Sequence, residues 1–290
     1  MYPPRLKPRL TIAVPTSIVA SIPLLKKTIK LSYLARFSAI FRVEKIIIFL
    51  DPFDEHPLRN FKLMKLILEY ISAPPYLRKY LFKLNPLLRY VGLASPLKTP
   101  DHQPEIDLEK EEITEIYRKG IVVGRKGKGV LVDVGLKEPV YLRGNYKKGS
   151  LVTIRFSRKH GELRLKTVPD EDVPIYWGFK VYGPLTVRKL LREIDREGYL
   201  TIATSRRGRP ITSLLDKLSG ELKKSGEVVV IFGGPRHGLH DIFNKEGLNL
   251  EDEVEWIINF APFQGTETIR TEEAIGISLA LLNIILPGST

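Results

Sequence analysis

Val228-Val-Val-Ile-Phe232 runs directly into Gly233-Gly-Pro-Arg-His-Gly238, and that junction decides the fold. An unbroken apolar run ended by glycines reads as a strand buried on both faces, the kind found in parallel sheets covered by helices. Glycines at its carboxyl end let a ligand reach the backbone with no Cβ in the way. Open α/β sheets bind ligands at that edge. Downstream, Asn259-Phe-Ala-Pro-Phe-Gln-Gly-Thr-Glu-Thr-Ile-Arg-Thr-Glu-Glu-Ala274 is a long polar turn that leads into the apolar segment 274–286. The two loops together read as a cofactor site.

Working outward, residues 187–197 read as a helix, 199–203 as a strand, 210–225 as a helix and 255–260 as a further strand. Each of the three strands is followed at once by a small or polar loop: Thr204-Ser-Arg-Arg-Gly208, Gly233-Gly-Pro-Arg-His-Gly238 and Ala261-Pro-Phe-Gln-Gly265. Three loops at one edge make one pocket. The start of the chain alternates in the same way. A strand at 10–14 precedes a helix at 24–43, whose apolar positions 25, 29, 34, 37 and 41 form a stripe. An apolar strand at 45–51 then precedes a helix at 57–72, stopped by Pro74-Pro75. Residues 76–90 read as a short basic helix. From 105 to 168 the period drops to two, with strands at 116–123, 129–134, 138–142, 150–156 and 162–166 separated by glycine turns. Five short strands in that length suggest a small barrel of the OB type. The expected fold class is therefore α/β: a parallel-sheet domain made of residues 1–104 and 169–290, with a small all-β OB-like barrel, 105–168, inserted.

Charge is unevenly placed along the 290 residues. Residues 1–104 carry 17 basic against 6 acidic side chains and 105–168 carry 15 against 9, whereas 169–290 carry 14 against 18. A net charge of +13 concentrated away from the glycine loops is the electrostatic footprint of a polyanion binder, RNA above all. Lys126, Lys128, Lys147 and Lys148 sit on barrel turns, beside tyrosines expected to be exposed at 117, 141 and 146, the ingredients for tracking phosphates and stacking bases. The bland alternative is ordinary solvated hairpin tips. The chain has no cysteine, which excludes disulfides, thiolate metal sites and cysteine nucleophiles. His237 and His240 have a spacing that could suit a metal but lack carboxylate or thiol company, so they read as loop residues beside the pocket and no metal is expected. No apolar run approaches membrane-spanning length, and a cytoplasmic protein with no membrane partner is expected.

The combination of Phe232-Gly-Gly-Pro, Gly238-Leu239, Asn259 and Pro262-Phe-Gln-Gly-Thr-Glu-Thr-Ile-Arg-Thr-Glu-Glu-Ala274 resembles the SPOUT class of RNA methyltransferases. It is similar in particular to the archaeal and eukaryotic branch, in which an OB-like barrel is inserted into the knotted domain. Val14-Pro-Thr and Leu97-Lys-Thr-Pro100 extend the resemblance over nearly the whole chain. It implies a C-terminal trefoil knot, a rare exception to unthreaded topology, and a homodimer packed through the knot region. It also implies S-adenosylmethionine as cofactor. By position, Thr204, Ser205, Gly233, Gly234, Asn259, Phe260 and Pro262 would hold the adenine, with Gly238, Gln264, Thr266 and Ile269 closing around the ribose and methionine.

Methyl transfer from an activated sulfonium requires alignment of the acceptor and removal of one proton. Glu267 is a candidate proton acceptor and Arg270 a candidate for orienting an RNA phosphate or polarising a base carbonyl. Arg270 is equally open to pairing with Glu272 or Glu273, which suit a helix N-terminus. Arg206, Arg207 and Arg209 are candidates for gripping RNA near the methyl group. The function expected is RNA methylation, on a base of ribosomal RNA with a uridine nitrogen in view. The alternative is a non-catalytic RNA-binding or ribosome-assembly factor built on the same scaffold.

Overall fold

The computed structural model describes residues 3–102, 115–159 and 162–286; the expected start of the insertion at 105 lies outside them. In chain order the elements are β1 (Arg9–Pro15), α1 (Leu24–Ile40), β2 (Val43–Phe49), α2 (Pro57–Ser72), α3 (Arg78–Leu81), β3 (Glu115–Lys126), β4 (Gly129–Asp133), β5 (Val140–Arg143), β6 (Leu151–Lys159) and β7 (Glu162–Val168). There follow β8 (Lys180–Leu185), α4 (Val187–Glu197), β9 (Leu200–Pro210), α5 (Leu215–Lys224), β10 (Glu227–Ile231), α6 (Leu239–Lys245), α7 (Leu250–Glu253), β11 (Trp256–Asn259) and α8 (Thr271–Ile285). They form two compact units. The larger comprises Arg5–Ile71, Leu87–Leu97 and Phe179–Thr290, the smaller Met1–Pro4, Ser72–Pro86 and Lys98–Gly178.

The larger unit is built on a six-stranded sheet, order β11-β9-β10-β1-β2-β8, in which every pairing is parallel. Successive side chains of a strand point to opposite faces, and here both faces are buried. Ile12, Val14, Ile46, Ile48, Val228 and Val230 enter one core with α1, α2, α5 and α8. Ala13, Ile47, Phe49, Val229 and Ile231 enter a second with α4 and α6. That is why the strands read as continuous apolar runs. Helix α4 matches its expected bounds because its ends are marked: the Thr186 hydroxyl accepts the Lys189 N–H at 3.3 Å, and Gly198 takes φ +66 just past its end.

Several elements differ from expectation. The expected core stripe of α1 lies partly outside: Leu25 is 37% and Ile29 40% exposed. Leu34 of that stripe is fully buried and Phe37 and Phe41 pack against the core, while the rest of the buried face is Thr28, Leu31, Ser32, Ala35, Ser38 and Ala39, mostly small side chains that let the helix lie close to its neighbours. No continuous helix spans 76–90. Short pieces at Pro75–Leu77, Arg78–Leu81 and Pro86–Leu88 replace it, because Pro86 cannot donate a helical hydrogen bond. Strand β8 escapes sequence reading because Gly183-Pro184 mimics a turn, yet as an edge strand it tolerates the proline.

The smaller unit contains a five-stranded antiparallel, barrel-like sheet, order β5-β4-β3-β6-β7, around Val122, Val130, Val132, Leu142, Ile154 and Phe156. Lys126, Lys128, Lys147 and Lys148 are all exposed on its turns. Of the three tyrosines expected at the surface, only Tyr141 is exposed. Tyr117 bonds to Glu115 and Tyr146 to Thr167, and both are half-buried.

Gly183 has φ +122, and a Cβ there would lie 2.4 Å from the Ile48 carbonyl oxygen. Gly183→Ala is therefore expected to lower stability by about 2–3 kcal/mol, read by urea unfolding. A loss under about 0.5 kcal/mol would mean that β8 does not hold this register.

Candidate functional site

The ladder between β9 and β11 is interrupted. Ala203 lies opposite Ile257, but Arg209, not Thr204, lies opposite Ile258. Residues Thr204 to Gly208, expected as a loop after the strand, thus belong to one extended segment that leaves the ladder and rejoins it. Gly208 allows the return, since a Cβ there would sit 2.7 Å from the Ile257 carbonyl oxygen. The excursion forms one wall of a cavity of about 320 Å³ at the carboxyl ends of β9, β10 and β11, within the range of small-molecule sites. Phe232, Ile258 and Ile277 give it an apolar floor, and the rim is polar.

Of the residues singled out from sequence, Thr204, Ser205, Gly233, Gly234, Gly238, Asn259, Phe260, Gln264, Glu267 and Ile269 line this cavity, with Arg206 and Arg207. Pro262, Thr266, Arg209 and Arg270 do not. The rim loops are tied to one another. Asn259 donates to the Arg206 carbonyl (3.0 Å) and accepts from the Ala261 N–H (3.0 Å). Arg206 (2.8 Å) and the Gln264 amide (3.1 Å) both donate to the Glu267 carbonyl. The Thr271 hydroxyl donates to the Gly233 carbonyl at 3.0 Å. Arg270 pairs with neither glutamate in the way considered above. Glu272 is buried and meets Lys30 at 2.8 Å, whereas Glu273 accepts the Arg270 backbone N–H at 2.9 Å and caps α8.

The glycines line the cavity and also serve a second purpose. A Cβ on Gly234 would meet Ser17 Oγ at 2.5 Å and Asp51 Oδ2 at 3.0 Å, and one on Gly233 would meet Gly238 and Leu239. The missing side chains make room for protein packed behind the loop. Ser17 donates to the Asp51 carboxylate, which is 2% exposed and also accepts the Phe53 N–H at 2.9 Å. Phe53 stacks on His237 with ring centroids 3.8 Å apart. Sequence reasoning missed this buttress, because Asp51-Pro52 reads simply as the end of a strand.

His240, expected beside the pocket, lines it, and its partners were not legible in sequence: it stands between Ser205 (Oγ to Nδ1, 3.5 Å) and Glu251 (Nε2 to Oε1, 3.1 Å). The two histidines therefore serve separate contacts. Among the described residues, no group of three or more His, Asp or Glu is placed to hold a metal ion.

Gly234→Ala is expected to cost about 1–3 kcal/mol in urea unfolding. Adding Ser17→Ala should restore part of that loss, whereas Gly265→Ala, whose Cβ would meet nothing within 4 Å, should change stability by no more than about 0.5 kcal/mol. Equal costs at the two glycines would remove the buttress.

Comparison with known proteins agrees with this geometry. A family model described as "Putative RNA methyltransferase" matches residues 9–282. The chain is 32% identical over 303 residues to a human protein named 28S rRNA (uridine-N(3))-methyltransferase, covering 94% of this chain and 77% of that one. A mouse protein of the same name is 30% identical, covering 97% and 77%. An uncharacterized protein of Haloarcula marismortui is 33% identical over 273 residues, covering 89% and 92%. The family match runs from the first strand of the parallel sheet to the helix behind the cavity, and the chain belongs to this family of RNA methyltransferases.

Proposed function

We propose that the protein methylates a base of ribosomal RNA, N3 of a uridine, with S-adenosylmethionine as donor. The observation that carries this reading is the single cavity into which all three loops converge, in a chain of the RNA methyltransferase family. The relatives named for uridine-N3 methylation supply the atom. The cavity suits the donor: an apolar floor for a flat purine, and a rim of backbone and amide groups for its polar edges and tail. Thr204, Ser205, Gly233, Gly234, Asn259 and Phe260 hold the adenine end, and Gly238, Gln264 and Ile269 close around the rest. Pro262 and Thr266, off the lining, support the loop, Thr266 by accepting the Gln264 amide.

When bound, S-adenosylmethionine supplies a methyl group already activated by its sulfonium. What the protein must do is align the base and take up the N3–H proton as the N–CH3 bond forms. We assign that proton to the Glu267 carboxylate, exposed on the rim, and assign Arg270, off the cavity lining, to the RNA strand. Arg206, Arg207 and Arg209 grip the strand near the methyl group, and Lys126, Lys128, Lys147 and Lys148 of the barrel bind RNA as well.

The same reading includes an S-adenosylmethionine site within a trefoil knot, an inserted OB-type barrel at 105–168 between the two parts of the methyltransferase domain, and a cytoplasmic homodimer. The exposed apolar side chains Leu25, Ile29, Tyr33 and Ile284 on α1 and α8, helices that pack together, support the dimer.

Isothermal titration with S-adenosylmethionine is expected to give micromolar-range binding. Asn259→Ala, which unties two rim loops, should weaken it roughly tenfold. No binding by folded wild-type protein, with RNA binding intact, would favour the non-catalytic factor. On unmodified ribosomal RNA followed by mass spectrometry, Glu267→Gln should lower kcat about a hundredfold near neutral pH, leaving donor affinity unchanged. The deficit should shrink as pH rises and the uridine imide loses its proton unaided. A loss independent of pH would take Glu267 out of the proton path.

A further inference from the structure

Phe263 is 92% exposed, more than any other large apolar side chain described in the larger unit. It is not on a slack loop. The Gln264 N–H donates to the Ala261 carbonyl at 3.2 Å, closing a four-residue turn with Pro262 and Phe263 at its centre. The Ala261 N–H is in turn held by Asn259 Oδ1 at 3.0 Å, and the Gln264 amide by the carbonyls of Thr266 (2.8 Å) and Glu267 (3.1 Å). Both ends of the turn, Ala261 and Gln264, line the cavity. The ring is thus presented to solvent at the cavity mouth by a turn fastened at each end.

A single exposed apolar side chain needs no partner; what sets Phe263 apart is that its turn is fastened at the cavity and surrounded by polar groups. Gln264, Thr266, Glu267 and Thr268 follow it, and Arg206 reaches the same Glu267 carbonyl that Gln264 binds. Aromatic residues and arginine are also enriched where protein copies meet, which makes a second copy an outcome of the test below. An aromatic ring on a loop whose Glu267 carbonyl binds Arg206 is an arrangement that takes nucleobases, the ring stacking on a base while the cation meets phosphate.

We infer that Phe263 is a base-stacking subsite for single-stranded RNA, holding the nucleobase of a residue adjacent to the one methylated. An enzyme that acts on a ring atom must draw its target out of the stack. A neighbouring base parked on Phe263 would keep the strand open beside the cavity mouth, with Arg206 and Arg207 on the backbone. The inference rests on RNA being the substrate, and it requires nothing of the proton path.

The test uses the full-length protein, with fluorescence anisotropy of single-stranded oligouridylate and of unmodified ribosomal RNA. Phe263→Ala is expected to raise Kd roughly five- to a hundredfold. Phe263→Leu should be similarly impaired, because it is apolar but has no π face, and Phe263→Trp should bind within about threefold of wild type. The added indole should also be quenched by RNA and not by inorganic polyphosphate. Donor affinity should be unchanged throughout, since the ring is not part of the cavity lining, and so should sedimentation mass.

An Ala variant within about threefold of wild type, or a Leu variant as good as wild type, would overturn the inference. Loss of the dimer in Phe263→Ala would do so too, assigning the ring to a second copy. Wild-type protein that binds S-adenosylmethionine but neither RNA would sink the subsite and leave the cofactor reading standing. RNA binding that depends on Phe263 without donor binding would do the reverse.

Discussion

Burial of the parallel sheet on both faces is the constraint on which the rest of the larger unit depends. Strands β1, β2 and β10 send alternate side chains into two separate apolar cores, so these central strands have no wet face on which to carry chemistry. Polar groups can gather only where the strands end. The carboxyl ends of β9, β10 and β11 become the site for that reason, and the excursion of β9 out of its ladder with β11 supplies the extra wall that turns a sheet edge into a cavity. A parallel ladder has to release five residues, Thr204 to Gly208, and take the chain back at Arg209. The close approach of Gly208 to the Ile257 carbonyl shows how little room that return leaves.

The cavity loops are shaped from behind. Asp51 and Ser17 fill the space that a side chain on Gly234 would occupy, Thr271 holds the Gly233 carbonyl, and the buried Lys30–Glu272 pair joins α1 to the first turn of α8. A buried ion pair contributes little net stability but is costly to break singly, so this one acts chiefly as a registration device between the ends of the chain. Residues from the first fifth of the sequence thus set the geometry of loops formed by the last fifth. Their partners are far apart in sequence, and the turn at 233–238 owes its form to both.

Charge follows a different logic from packing. The basic excess sits in residues 1–168, and in the smaller unit it is displayed on hairpin tips such as Lys126, Lys128, Lys147 and Lys148. Around the cavity the cations are few and placed: Arg206 is tied to the Glu267 carbonyl, and Arg207 stands beside it on the lining. Diffuse charge raises the local concentration of RNA. Charge fastened at the cavity lining orients it.

Much of the architecture was legible in local patterns. The run Val228 to Phe232, the bounds of α2 and α4, and the period-two strands between 115 and 168 follow from apolar periodicity and from caps such as Thr186 and Gly198, interactions a few residues apart. The loops at 204–208, 233–238 and 259–269 were recognisable as one site because they follow strands of one parallel sheet. Tertiary structure alone decided what those loops rest on and which side chains turn inward. The Asp51–Ser17 support, the placement of His240 between Ser205 and Glu251 and the exposure of Leu25 and Ile29 at the start of the α1 stripe all depend on contacts between distant segments. A sequence carries the hydrophobic period of each element, whereas the direction in which a polar side chain finds its partner is set only when the sheet has brought the strand ends together.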